Sequence, residues 1–216
     1  MSTLGQANAD RFNAVAASWD MDPARAERAR AIARAIVGAI PLTGRERMME
    51  VGSGTGILTA LLAPSVGEVL AVDGSAGMLE VLRTKARELH LDNVRALEAD
   101  LSEGVPEGPF DLIVSAMTMH HIEDVPELLR GLSGALAPGG HLAIADLEEE
   151  DGSFHADLTG IAHFGFRPEA FAQWLEEAGL EQAQIHPAHV MEKTAGDGKR
   201  RRYPIFLATA RRPQGR

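Results

Sequence analysis

Apolar residues recur at two spacings along the chain, and the change between them falls near Arg47. Before it, Ala29, Ile32, Ala33, Ile36, Val37 and Ile40 repeat at helical spacing, with Arg25, Arg28, Arg30 and Arg34 mostly off that stripe. Asp22-Pro23 supplies a start signal, an acceptor at the cap followed by a proline with preset φ, and Pro41 stops the helix. Phe12, Val15 and Trp19 mark a shorter amphipathic stretch ahead of it. From Arg47 onward, short apolar runs alternate with helical stretches. Strands are predicted over 48–51, 69–72, 94–99, 110–116 and 141–147, with two closing strands over 184–191 and 204–210 joined by a polar loop, Gly196 to Arg202. Helices are predicted from Ile57, from Met78 to Leu89, over 125–136 stopping before Pro138-Gly139-Gly140, and over 168–178 closed by Gly179. That alternation means a mostly parallel sheet covered on both faces, hence a doubly wound α/β domain. We expect residues 1–44 to form a helical cap on a domain spanning 45–216.

Composition narrows the chemistry. The chain has 216 residues, enough for one domain with a sizeable core. With no cysteine, disulfides, thiolate zinc sites, iron–sulfur clusters and cysteine nucleophiles are all excluded. The formal charge of -10 argues against sequence-independent nucleic-acid binding. Neither a membrane span nor a secretory leader is visible, so the expected setting is cytoplasmic.

The glycine cluster Glu50-Val51-Gly52-Ser53-Gly54-Thr55-Gly56 falls between the first strand and its helix, where glycines let the backbone turn sharply and approach a ligand. A dinucleotide fingerprint would read Gly-x-Gly-x-x-Gly, but here the third glycine comes one residue early and Ile57 takes its place. The next strand ends at Asp73, whose carboxylate can accept hydrogen bonds from both ribose hydroxyls.

These residues resemble the class I S-adenosylmethionine-dependent methyltransferases, from about Arg47 to Leu147. Glu50 to Gly56 looks like the first motif and Val72-Asp73 like the second acidic anchor. Glu98-Ala99-Asp100-Leu101 is similar to the adenine-contacting segment, Phe110 to Val114 to the fourth strand, and Leu136 to Leu142 to the entrance of the fifth. Met119-His120-His121-Ile122 resembles small-molecule and quinone-type members. The resemblance implies a seven-stranded sheet whose last strand is antiparallel and inserted. It also implies S-adenosylmethionine as cofactor, leaving S-adenosylhomocysteine, held by Glu50, Gly52, Ser53, Gly54, Asp73, Gly74, Met78, Asp100, Leu101 and Ser115. Met78 reads equally as core and Asp100 as a turn cap.

A sulfonium carries its own leaving group, so transfer needs alignment more than acid–base chemistry. His120 and His121 follow the fourth strand, where a histidine can orient an acceptor, remove a proton near neutrality, or serve as a structural fixture. Trp19, Met117, His155, His163 and Phe164 are candidates for the acceptor pocket, the last three in a glycine-punctuated stretch that also reads as an ordinary loop. No third ligand at diagnostic spacing accompanies the histidine pair, so no metal is expected. The basic run Lys199 to Arg202 reads as a solvated loop or as a contact for an anion. The expected partner is a small-molecule methyl acceptor, the protein being a monomer or homodimer. A nicotinamide-dependent oxidoreductase and a non-catalytic cofactor-binding module remain as alternatives.

Overall fold

The computed structural model describes residues 3–101, 103–194 and 198–215. Seven strands run in chain order: β1 (Arg47–Val51), β2 (Glu68–Asp73), β3 (Val94–Glu98), β4 (Phe110–Ala116), β5 (Leu136–Leu147), β6 (Glu181–Thr194) and β7 (Arg200–Arg211). They form one sheet in the order β3-β2-β1-β4-β5-β7-β6. All pairs are parallel except those of β7, which runs antiparallel between β5 and β6. The helices are α1 (Thr3–Val15), α2 (Pro23–Ala39), α3 (Ile57–Leu62), α4 (Ala76–Glu88), α5 (Val125–Ala135) and α6 (Pro168–Glu177), with a short 3₁₀ segment Ala16–Met21 joining α1 to α2.

The strands alternate their side chains between two cores. Met49, Val51, Ile113 and Leu142 pack toward Leu129 and Leu132 of α5 and Phe171 of α6. Met48, Leu112, Val114 and Ala143 pack toward Ile32 and Ile36 of α2 and Leu58 and Leu62 of α3. A register shift between Phe110 and Leu112 lets both Phe110 and Ile113 face the first core, which strict alternation would forbid. Asp22 caps α2 through the amide of Ala24 at 3.0 Å, and α2 ends at Ala39, ahead of Pro41.

Three sequence readings need correction. β5 begins at Leu136, so Pro138-Gly139-Gly140 lies within a strand; a Cβ at Gly140 would sit 2.9 Å from the Phe110 carbonyl oxygen. The closing hairpin is longer than its apolar runs suggest, because pairing continues through charged positions to Thr194 and Arg200. Most of the basic run is therefore strand rather than loop: Arg200 pairs with Glu192 at 2.6 Å and Arg201 with Asp151 at 2.9 Å, while Gly196 and Asp197 lie outside the described residues. Among the described residues, no helix is long and apolar enough to cross a membrane.

The sheet order reverses direction between β1 and β4. Such a switch leaves a crevice at the carboxyl ends of the strands, where open α/β sheets bind their ligands.

Candidate functional site

A cavity of about 1200 Å³ opens at that switch point. Its floor is built by the strand ends. Gly54 donates its amide to Asp73 Oδ2 at 2.7 Å and Ser75 donates to Oδ1 at 2.8 Å, so the carboxylate at the end of β2 holds the glycine loop against the start of α4. Burial raises the Asp73 pKa, and the two amide hydrogen bonds oppose that shift. Ser75 caps α4 through the amide of Met78 at 3.1 Å, which sets the buried Met78 against the cavity.

The three loop glycines are required for different reasons. A Cβ on Gly52 would lie 2.2 Å from Thr118 Oγ1, and one on Gly56 would lie 2.6 Å from Leu82 Cγ. Both are closed in by protein. Gly54, with φ +54°, has nothing within 4 Å of its Cβ direction and lines the cavity. The Ser53 Oγ beside it is buried without a hydrogen-bond partner. An open glycine next to an orphaned hydroxyl and a strand-end carboxylate leaves both room and polar groups for a ligand. Gly54→Ala, which tolerates φ +54° better than a β-branched residue, is accordingly expected to keep the fold by circular dichroism with a lower melting temperature and to lose most S-adenosylhomocysteine binding in calorimetry. Retained affinity would show that the ligand does not approach this loop.

Glu50 also lines the cavity, although it is only 3% exposed. Burial pushes its pKa up to about 8, against the hydrogen bond that Thr59 Oγ1 donates to Oε2 at 2.5 Å. Its carboxyl is thus largely protonated at neutral pH in the free protein. Gly74, Asp100 and Leu101 complete this side. Ser115 does not reach the cavity: it is wholly buried and its Oγ donates to the Val51 carbonyl at 2.9 Å, tying β4 to β1.

The opposite wall carries the histidines. His120 donates from Nδ1 to Asp146 Oδ1 at 2.7 Å, since a carboxylate can only accept. Asp146 is fully buried in β5; His120 holds its pKa low although burial alone would raise it. His121 donates from Nδ1 to the Gly160 carbonyl at 2.8 Å, which leaves Nε2 as an acceptor. Burial, then His120, push the His121 pKa down to about 3, so it does not titrate near neutrality as a strand-end histidine would in water. His155 stacks 5.0 Å from His120; burial, then His120, Lys193 and Arg11, lower its pKa to about 4. His155 and Met117 line the cavity, whereas His163 and Phe164 do not. His163 instead hydrogen-bonds the Ile122 carbonyl at 2.9 Å through Nε2, and Phe164 is 42% exposed.

The N-terminal segment forms the roof. Asn13 Oδ1 accepts from Gly77 at 2.8 Å and from Ser75 Oγ at 2.7 Å, and Asp20 accepts from Thr55 Oγ1 at 2.6 Å while pairing with Lys85 at 2.7 Å. Phe12 meets Trp19 and His121 edge-on, at 5.5 and 5.2 Å between ring centroids. Trp19 lines the cavity with Arg25 stacked 3.5 Å above its ring. Sequence reasoning missed Asp146, Asn13, Asp20, Arg28 and Lys193. Only Asp146 left a signal, a lone carboxylate inside the apolar run Leu142 to Leu147.

A family model of methyltransferase domains matches residues 24–185. An uncharacterised methyltransferase of Mycobacterium bovis is 36% identical over 151 residues, which span 68% of this chain and 74% of that one. One of Schizosaccharomyces pombe is 30% identical over 154 residues, 64% of this chain; the match spans about half of that relative's length, 54%. Among solved structures, the DhpI–SAH complex superimposes with a TM-score of 0.76 at 23% identity, over 99% of this chain and 98% of that one. A SAM-dependent methyltransferase from Aquifex aeolicus gives 0.62 at 22% identity, over 88% and 98%. Family match, sheet order with its inserted antiparallel strand, and glycine loop agree, and the chain belongs to the methyltransferase family with the class I S-adenosylmethionine-dependent fold.

Proposed function

We propose that this chain transfers a methyl group from S-adenosylmethionine to a small molecule seated between the glycine loop and the histidine wall. The observation that carries the reading is the Gly54–Asp73 hydrogen bond at 2.7 Å, beside the open Cβ direction of Gly54. When bound, the cofactor supplies an activated methyl group on a positively charged sulfur, so transfer needs alignment and exclusion of water more than acid–base help. Asp73 accepts from the ribose hydroxyls with the lone pairs left beside its two amide bonds, and Met78 packs on the adenine. Asp100 and Leu101 meet the adenine edge. Glu50 faces the charged part of the ligand, where a cation favours its carboxylate form. Nothing in the site or among the relatives favours a nicotinamide cofactor.

His120 and His121 have distinct duties in this reading. Asp146 fixes the ring of His120, and the Gly160 carbonyl fixes that of His121. His121 offers a neutral Nε2 that accepts a hydrogen bond from the incoming group and orients its lone pair, but does not hold a second proton at neutral pH. The test is an S-adenosylhomocysteine-release assay over carboxylic acids, phosphonates, phenols, thiols, amines and quinones, followed by His121→Asn with the responsive acceptor. We expect turnover with at least one class, and a higher KM or lower kcat in the variant with unchanged S-adenosylhomocysteine affinity. A rate limb centred near pH 6.5 that disappears in His121→Asn would contradict the orienting role. Binding without turnover on any acceptor would favour a cofactor-binding module instead.

A further inference from the structure

The cavity gathers cations on the side away from the strand ends. The strand ends contribute Asp73 and Asp100, whereas Arg11 of α1, Arg28 of α2 and Lys193 near the end of β6 contribute cations to the same space, beside Asp22, Asp157 and Glu192. All three cations are half-buried, and among the described residues none forms an ion pair. Arg11 donates to the Thr159 carbonyl at 2.6 Å, and Lys193 donates to the Phe154 carbonyl while lying 4.6 Å from the centre of that ring. Arg28 has only a thioether, Met191 Sδ at 3.2 Å. These partners satisfy N–H groups but carry no charge themselves.

Carboxylates lie near these cations without closing an ion pair on any of them: Asp157 feels Arg11, and Glu150, whose Oε1 is buried without a hydrogen-bond partner, attracts Lys193. Asp22 caps α2 and lies 3.7 Å from Arg25, and Glu150 accepts the amide of Phe154 at 3.0 Å. Asp146 is taken by His120. Asp22 and Asp146 attract Arg28, and Glu150 and Asp22 attract Lys193, from beyond ion-pair distance. Burial, then the neighbouring Arg25, bring Arg28 down to about 10 despite Asp22 and Asp146, and burial with Arg28 lowers Lys193 despite Glu150 and Asp22. Lys193 and Arg11 likewise act on His155, whose buried Nε2 has no partner. In a chain of net charge -10, three elements deliver unpaired cations to one wall. Holding partly desolvated cations with no carboxylate in direct contact is costly, and a bound anion would relieve it.

We infer that the methyl acceptor carries an oxyanion, a carboxylate or a phosphoryl-type group, held by Arg28, Lys193 and Arg11 with His155 as a neighbouring donor or acceptor. This rests on the methyltransferase reading, since it assigns the acceptor's place in the same cavity. Arg28 is well suited to hold such a group. Its planar guanidinium offers paired donors to a carboxylate or phosphonate, and Met191 leaves that fork unclaimed by any anion.

The test uses the full chain saturated with S-adenosylhomocysteine and probed at constant ionic strength with benzoate, phenylphosphonate and benzamide. Calorimetry or thermal shift should show binding of at least one anion and none of benzamide, the preferred anion separating the carboxylate source from the phosphoryl one. Arg28→Met should weaken that anion at least about tenfold, as expected for a lost charge-assisted contact, and leave S-adenosylhomocysteine affinity unchanged. Lys193→Met, near the end of the hairpin, repeats the measurement should Arg28→Met fold poorly. Equal binding of benzoate and benzamide, or full anion affinity in both variants, would overturn the inference. Failure of the parent to bind S-adenosylhomocysteine would instead count against the methyltransferase reading, and is seen before any anion is added.

Discussion

Asp73→Ala is expected to raise the dissociation constant of S-adenosylhomocysteine by about 10- to 150-fold, the range for losing a hydrogen bond to a charged group. The reason is twofold. The carboxylate binds the ribose in our reading, and it also holds the Gly54 and Ser75 amides at 2.7 and 2.8 Å. Removing it leaves both amides unpaired and frees the loop to move away from the ligand. The second effect is separable. Asp73→Asn keeps one acceptor oxygen but presents an NH₂ to one amide, so it should fall between parent and alanine in affinity and in melting temperature. An alanine variant with parental affinity in calorimetry would remove Asp73 from the site, and parental stability in both variants would show that the two amides find water instead.

The second large effect is on acid stability. His121 has a folded pKa near 3 and His155 one near 4, against about 6.5 in an unfolded chain. Between those values the unfolded state binds more protons, so stability contributed by the neutral folded histidines is lost as pH falls below about 6.5. At about 1.4 kcal/mol per pKa unit, His121 alone forfeits about 2 kcal/mol by about pH 5, and the more exposed His155 less. Glu50 works in the opposite sense. Its folded pKa near 8 means that the folded state holds the extra proton, so acidification from about pH 8 toward 4.5 stabilises the fold. The parent curve therefore mixes cancelling slopes, and the difference between proteins is the clean readout. In urea unfolding at pH 7.5, 6 and 5, His121→Asn should lose less stability on acidification than the parent, and Glu50→Gln should lose more. Parallel curves for all three proteins would mean that neither group is held as buried as its surroundings indicate.

Most of the fold can be read from the sequence because its signals are local. β1, β2 and β4 are short apolar runs bounded by turn residues, and α2 has both a capped start and a proline just past its end. β6 reads too short because its polar ends are held by the long antiparallel register with β7, which no short window reveals. The same division holds at the site. Glu50, Gly54 and Asp73 are visible because backbone geometry forces their spacing, and the structure sets them around one cavity. Ser115, His163 and Phe164 are drawn in by sequence adjacency, yet a strand alternates its faces and a loop can turn its aromatic ring outward. Arg28 and Lys193 come from elements far apart in sequence, and neither local pattern distinguishes them from surface cations.

The inserted antiparallel strand bears on how the chain is made. β5 ends at Leu147, and its partner β7 begins about fifty residues later, at Arg200. A ribosome therefore releases the apolar run from Leu142 to Leu147 well before the strand that covers its free edge exists. During that interval β1 to β5 can pair, but the β5 edge stands open as a template for another nascent chain. The run holds one charge, Asp146, which the finished protein buries against His120. Until β7 is in place, that carboxylate is an inward-pointing charge on an unpaired edge, so the residue that fixes the histidine also guards the strand while the sheet is incomplete.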